Sequence, residues 1–272
     1  MRVALFGLGE AGAAIGADLA TAGVDVHGYD PAAVTTPAGV HRHDDPVAAV
    51  SDCELVLAVT AAADAPAALQ QAFDSIPRGA IYADLATSAA GLKQRLAEEA
   101  GTAGLRFVDV ALMSPVPGKG LRTPALASGP GASAFVEMLV PLGMPVEHAG
   151  EVAGDAATRK LLRSVVMKGL AALVAESMQA AHAAGFAEET WMNIVGQLTA
   201  ADEALIRRLV EGTGPHALRR LHEMQASADM LAELGVDPVM TRSTVESLRR
   251  FSGGAPLPGL PVGHTGTPSS SQ

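Results

Sequence analysis

The chain has 272 residues, room for one large domain or two ordinary ones, and 49% of them are hydrophobic against 3% aromatic, so the core is expected to consist of small aliphatic side chains with helices in close approach. A net charge of −10 argues against nucleic acid or an anionic membrane surface as the main partner. Cys53 is the single cysteine, which excludes an internal disulfide; with no apolar run long enough for a bilayer and no room for a signal peptide ahead of the first strand, a cytoplasmic protein is expected.

Residues 3–6 read as a first strand, followed directly by Gly7-Leu8-Gly9-Glu10-Ala11-Gly12 and a helical stretch at 13–22. Strand, glycine turn and helix form the setting in which G-x-G-x-x-G marks a dinucleotide site. The first glycine allows the tight turn, the second lets backbone approach a pyrophosphate, and the third lets helix and strand pack closely. The helix N-terminus offers free N–H groups to the phosphates. Residues 24–29 form a second strand that runs through Tyr29 into Asp30, 18 residues beyond Gly12. An acid there takes two ribose hydroxyls and repels a 2′-phosphate, which favours NAD over NADP. His41, Arg42 and His43 are near enough in sequence to supply a cation for NADP instead. Glu10 is expected to point to solvent, without a catalytic role.

Further apolar runs lie at 55–59, ending at Thr60, at 80–84 after the turn 76–79, at 107–111 and at 125–128. Helical segments such as 63–73 and 89–100 separate them, which gives βαβ units and an α/β fold with a doubly wound parallel sheet. Ligands bind such sheets beyond the carboxyl ends of the strands, where Asp30, Thr60, Thr87, Ser88 and Ser114 fall. Asp84 is a candidate structural cap, and Asp109 a brace for the loop after it. The pattern changes near Gly150. Residues 155–184 read as one helix of about thirty residues closed by Gly185, and further helices follow at 187–198, 201–211, 215–234 and 238–251. The expected organisation is a Rossmann-type dinucleotide-binding domain at 1–153 and an all-α domain at 154–251, with 154–184 as a bridging helix. A Gly-, Pro- and Ser-rich tail at 252–272 is expected to be disordered.

Lys160, Ser164 and Lys168 are spaced i, i+4 and i+8 and share one face of that long helix, with Arg163 beside them. The helix is otherwise apolar nearly all round. Its polar stripe is either the wall of a cleft, where a partly desolvated lysine serves as general acid and base, or a solvated strip with lysine stems on apolar surface. The histidines are scattered, with no H-x-x-H or C-x-x-C spacing to suggest a metal. The absence of G-x-S-x-G argues against a serine hydrolase.

The N-terminal glycine motif, the strand ending in Asp30, and a long helix opened by Gly150 and Gly154 with Lys160 near its start resemble the β-hydroxyacid dehydrogenases. That superfamily includes the 3-hydroxyisobutyrate and 6-phosphogluconate dehydrogenases. Residues 160–169 and Arg220-Leu221-His222-Glu223-Met224 resemble one subfamily more closely, whose C-terminal domain has no assigned function. The resemblance implies that Lys160, six residues after Gly154, is catalytic, and that Thr60 and Thr87 contact the cofactor. The family's asparagine four residues after the lysine is replaced by Ser164. Its substrate-loop serine is matched by Ser114 in the stretch Asp109-Val110-Ala111-Leu112-Met113-Ser114-Pro115-Val116-Pro117-Gly118. His222 and Glu223 stand where the family often carries a lysine–aspartate pair, and Lys168 is a second candidate in the cleft. The implied protein is an NAD(P)-dependent oxidoreductase on a small polar hydroxy or carbonyl substrate, and a homodimer. Alternatives on the same fold are an imine reductase, a non-catalytic dinucleotide sensor, and a partner protein that has lost its cofactor.

Overall fold

The computed structural model describes residues 1–32 and 35–261. Its first half alternates β1 (Arg2–Phe6), α1 (Glu10–Thr21), β2 (Asp25–Tyr29), β3 (Val40–His43), α2 (Pro46–Val50), β4 (Leu55–Ala58), α3 (Ala65–Gln70), β5 (Ile81–Asp84), α4 (Ala90–Thr102), β6 (Arg106–Leu112), β7 (Ala125–Ser128), α5 (Ala132–Leu139) and β8 (Val146–Gly150). Helices α6 (Asp155–Ala184), α7 (Ala187–Thr199), α8 (Glu203–Glu211), α9 (Thr213–Glu233) and α10 (Val239–Ser252) follow. The chain forms two compact units, Met1–Val165 and a second that starts at Val166, with α6 running from one into the other. Among the described residues no helix is long and apolar enough to cross a membrane.

The strands form one eight-stranded sheet in the order β3-β2-β1-β4-β5-β6-β7-β8. All pairs are parallel except β6 with β7, which run antiparallel because the segment between them turns back on itself. Side chains alternate between the two faces. Val3, Leu5, Leu57, Ala83 and Val108 join Ile15 and Leu19 of α1 and Phe135 and Leu139 of α5 in one core cluster. Ala4, Phe6, Val56, Tyr82 and Phe107 face the other way, onto α2, α3 and α4. Both faces are covered, as a mostly parallel sheet requires. The strand order reverses between β1 and β4, and in such sheets the crevice beyond the carboxyl ends at that point is where ligands sit.

Two strands go beyond the sequence reading. β3 (Val-His-Arg-His) is an edge strand with one buried apolar residue, and β8 has only two, Val146 and Ala149. The long helix spans the expected residues, and its closure follows the left-handed glycine pattern. Gly185 has φ +81°, its N–H donates to the His182 carbonyl at 3.2 Å, and the Phe186 N–H donates to the Ala181 carbonyl at 2.8 Å. Of the tail expected to be disordered, Ser252 closes α10, residues 253–261 carry no helix or strand, and 262–272 lie outside the described residues.

Within the second unit, buried Glu176 of α6 ties down the N-terminus of α10. Its carboxylate accepts from the Met240 N–H at 2.7 Å, the Thr241 N–H at 2.8 Å and the Thr241 hydroxyl at 2.6 Å. Burial alone would push this carboxyl up; the Thr241 and backbone hydrogen bonds outweigh it and hold it below the usual range. A carboxylate with a lowered pKa contributes stability that is present above its unfolded pKa and lost as pH falls through the folded one. Glu176→Ala should therefore destabilise the second unit by about 2 kcal/mol at neutral pH. The difference should shrink progressively in acid, below the normal glutamate pKa. Urea unfolding followed by the single tryptophan, Trp191 of α7, checks this, and a pH-independent difference would contradict it.

Candidate functional site

Backbone sterics set the turn after β1. Gly7 sits at φ +91°, and its N–H donates to the Tyr29 carbonyl at 2.9 Å. A Cβ on Gly7 would lie 2.3 Å from the Val59 carbonyl oxygen, and one on Gly12 would lie 1.9 Å from that of Gly7. These two glycines are required by the chain packing on itself. Gly9 differs, since a Cβ there would meet nothing within 4 Å. Its bareness leaves open space over the loop. Gly9 is also the N-cap of α1 and provides no side-chain cap, so first-turn N–H groups remain available to a ligand.

Asp30 joins the glycine turn to the segment after β2. One carboxylate oxygen accepts from the Leu8 N–H at 2.7 Å and the other from the Ala32 N–H at 2.8 Å. Arg42 reaches the same segment, with Nη2 3.3 Å from the Ala32 carbonyl. Gly7, Gly9, Tyr29, Asp30, Thr60 and Asp64 line a cavity of about 430 Å³, and Tyr29 packs edge-on against Phe6 with centroids 5.6 Å apart. A second cavity, also about 430 Å³, shares Gly9, Val59, Thr60 and Ala61 with the first. Residues 9–12 line it together with Thr60, Thr87, Leu112 and Lys160. Thr60 Oγ1, which belongs to a residue lining both cavities, is buried without a hydrogen-bond partner. A row of bare backbone N–H groups, a bridging acid and an orphaned hydroxyl fit a dinucleotide stretched across the loop.

Lys160, partly buried in the second turn of α6, donates from Nζ to Thr87 Oγ1 at 2.7 Å. Arg163, three residues on, donates from Nη1 to the Met113 carbonyl at 3.0 Å. That bond holds the loop after β6 to this end of α6. Ser114, the next residue in the loop, accepts from Lys119 Nζ at 3.1 Å. Ser164 is partly buried one turn beyond Lys160. The structure thus gathers the glycine turn, Tyr29, Asp30, Thr60, Thr87 and Lys160 around adjoining cavities, with Ser114 on a loop tied to the same helix. Lys168 and His222 belong to the second unit, where both are exposed. Glu223 pairs with Arg219 on the surface of α9. Glu10 is exposed, as expected. Cys53 is an inert core thiol, its pKa pushed up to about 12 by burial.

Three features were missed in the sequence. Lys119 falls at the end of the loop after β6, where nothing in the spacing links it to Ser114. Lys93 looks like a solvated helix residue and is fully buried. The scattered histidines partly converge at the sheet edge. His27 Nδ1 and His43 Nε2 are 2.7 Å apart, and His27 Nε2 is 3.0 Å from Asp25. No group of three or more such side chains among the described residues is arranged to hold a metal ion.

Comparison with known proteins matches two segments of the chain. A model described as the NAD binding domain of 6-phosphogluconate dehydrogenase matches residues 2–120, and a model of a domain of unknown function matches residues 181–251. An uncharacterized 28.5 kDa protein of Methanothermus fervidus is 28% identical over 140 residues, 51% of this chain and 54% of its own length. The match thus spans only about half of that curated relative. A conserved protein of unknown function, whose structure was described as similar to 3-hydroxyacid dehydrogenases, is 27% identical, with a TM-score of 0.60 over 93% of this chain and 97% of its own. An imine reductase of Streptomyces aurantiacus shares the fold at 21% identity, with a TM-score of 0.74 over 92% of this chain and 94% of its own. Residues 2–120 thus match an NAD binding domain of the 6-phosphogluconate dehydrogenase type, and the helical residues 181–251 match a domain of unknown function.

Proposed function

We propose that the protein is an NAD(P)-dependent oxidoreductase acting on a small polar hydroxy or carbonyl substrate, with Lys160 as general acid and base. The observation that carries this reading is the Lys160–Thr87 contact on the wall of a cavity that the glycine loop also lines. Residues 1–153 would bind the dinucleotide, through Gly7, Leu8, Gly9, Glu10, Ala11 and Gly12, Tyr29, Asp30, Thr60 and Thr87. The nicotinamide supplies the hydride acceptor or donor. In oxidation the neutral Lys160 amine takes the hydroxyl proton; in reduction its ammonium returns a proton to the carbonyl oxygen. Ser114 and Ser164 would orient the substrate by hydrogen bonds from their hydroxyls. The carboxylate of Asp30 favours NAD, since a 2′-phosphate beside it would meet a like charge. NADP would need Arg42 to turn toward that phosphate.

Reduction of a C=N bond is the second reading, supported by one residue. Ser164 offers a single hydroxyl where a forked amide would grip a hydroxyacid, and an imine needs a proton donor without a carboxylate anchor. A homodimer is proposed from the second unit. There Leu173, Phe186, Ile194, Leu198 and Met230 line a groove of about 630 Å³, and Trp191, Met192, Ile206 and Leu209 are more than half exposed.

Two measurements test the reading. NADH should bind about tenfold tighter than NADPH by nicotinamide fluorescence. Gly9→Ala should fold normally and weaken NADH binding, whereas Gly12→Ala should lose about 1–3 kcal/mol of stability through its clash with the Gly7 carbonyl. Equal NADH affinity in Gly9→Ala and the parent would remove the pyrophosphate from that loop. On a panel of hydroxyacids, carbonyls and cyclic imines, Lys160→Met should lower turnover about 10²- to 10⁴-fold while NADH still binds. Binding without turnover of any of them by the unaltered protein would favour a dinucleotide sensor.

A further inference from the structure

Asp84 closes β5, Asp109 lies in β6, and the two are direct partners in the parallel register. Both side chains are 1% exposed. Two carboxylates side by side in a dry sheet repel each other and lack water to compensate. Lys93, from the first turn of α4 and itself 0% exposed, fills that need. Its Nζ lies 2.9 Å from Asp84 Oδ2, 2.9 Å from the Asp84 carbonyl oxygen and 3.1 Å from Asp109 Oδ1.

The other carboxylate oxygens bind backbone. Asp84 Oδ1 accepts from the Ala86 N–H at 3.0 Å, one residue before Thr87. Asp109 Oδ2 accepts from the Gly154 N–H at 3.1 Å, the Ala157 N–H at 2.8 Å and the Ser128 hydroxyl at 3.3 Å. Ser128 Oγ in turn accepts from the Ala156 N–H at 3.0 Å. Ala156 and Ala157 are first-turn donors of α6, four and three residues before Lys160, and Gly154 directly precedes the helix. The two arms of one buried network therefore end beside Thr87 and beside Lys160, which then meet at 2.7 Å. The result is a closed ring: Lys93, Asp84, the Thr87 loop, Lys160, the start of α6, Asp109 and Lys93 again.

We propose that Lys93 is a positioning residue, and that by holding Asp84 and Asp109 together it fixes the Thr87 loop against the first turns of α6 and so sets the geometry of Lys160. This rests on the reading of Lys160 as the proton-transfer group. Lys93 touches neither substrate nor cofactor and acts only through the two aspartates.

The chain has four lysines, at 93, 119, 160 and 168, which makes the test direct. Reductive ¹³C-methylation of the folded full-length protein labels the accessible amines, and Lys160→Arg identifies the Lys160 signal. In Lys93→Met the titration midpoint of Lys160 should move by about one pH unit, a tenfold change in proton affinity, while Lys119 and Lys168 stay put. Amide exchange should rise on the order of tenfold at residues 86–88 and 154–160. A folded Lys93→Met with Lys160 and those amides unmoved overturns the proposal, since a merely structural lysine would alter global stability alone. If Lys93→Met does not fold, the charge-balanced pair Asp84→Asn with Lys93→Met leaves Asp109 with its backbone donors. Only the Thr87 arm should then loosen and the Lys160 midpoint still shift; an unchanged midpoint again refutes the proposal. None of these readouts needs a substrate. Wild-type turnover in Lys160→Met would sink the catalytic reading and leave the network standing, whereas an immobile Lys160 signal would sink the network alone.

Discussion

The register of β5 against β6 puts two carboxylates side by side where water cannot reach them, and much of the first unit answers to that constraint. Taking such ions out of water costs several kcal/mol each, and a buried ion pair seldom repays that cost as net stability. An apolar trio of similar volume would fill the same space at less risk. What the charged trio provides is direction. Both oxygens of Asp84 and one of Asp109 accept hydrogen bonds, the other Asp109 oxygen faces the Lys93 ammonium, and most of the donors lie on the segments that carry Thr87 and Lys160. An apolar contact would let these segments slide; a set of hydrogen bonds around 3 Å would not.

The glycine turn shows a second division of labour. Gly7 and Gly12 are forced by the chain's approach to itself, at Val59 and at Gly7 respectively, so they would be needed by this fold with or without a ligand. Gly9 has no such internal reason. The absent side chain there leaves open space over the N-terminus of α1, which no side chain caps. Asp30 does both jobs. It is anchored by the Leu8 and Ala32 N–H groups, which fixes the angle at which its carboxylate lines the cavity.

What could be read from the sequence follows from how local each signal is. The glycine turn and α6 are written in contiguous residues: a strand, a turn, or thirty residues bracketed by Gly154 and Gly185 without a proline. β3 and β8 are paired by neighbours distant in sequence and carry too few apolar residues to show alternation. Asp84 was legible as a cap, because an Asx turn is local, and it does cap Ala86. In sequence, Asp109 suggests a brace for its own loop. It braces instead the start of α6, 45 and 48 residues away, which no spacing rule could indicate. Lys93 stands between Leu92 and Gln94-Arg95 on a helix with an ordinary surface pattern. Its burial depends on where two strands place their aspartates, so it emerges only with the tertiary fold.

The same separation bears on chemistry. The fold that binds the dinucleotide is shared with relatives solved as imine reductases and with proteins likened to hydroxyacid dehydrogenases, so the fold cannot decide which bond is reduced. The decision belongs to the few side chains facing the reacting carbon. In this chain Lys160 donates to the Thr87 hydroxyl, Ser164 follows one turn along the same helix, and Ser114 lies on the tethered loop. Hydroxyls both donate and accept, so they can serve an alcohol, a carbonyl or an imine nitrogen without rearrangement. Selectivity must then come from shape and charge at the loop after β6, where Lys119 and Arg163 bring two cations to Ser114 and Met113. A ligand bearing an acidic group would meet two cations at that loop, and a neutral one would gain nothing from them.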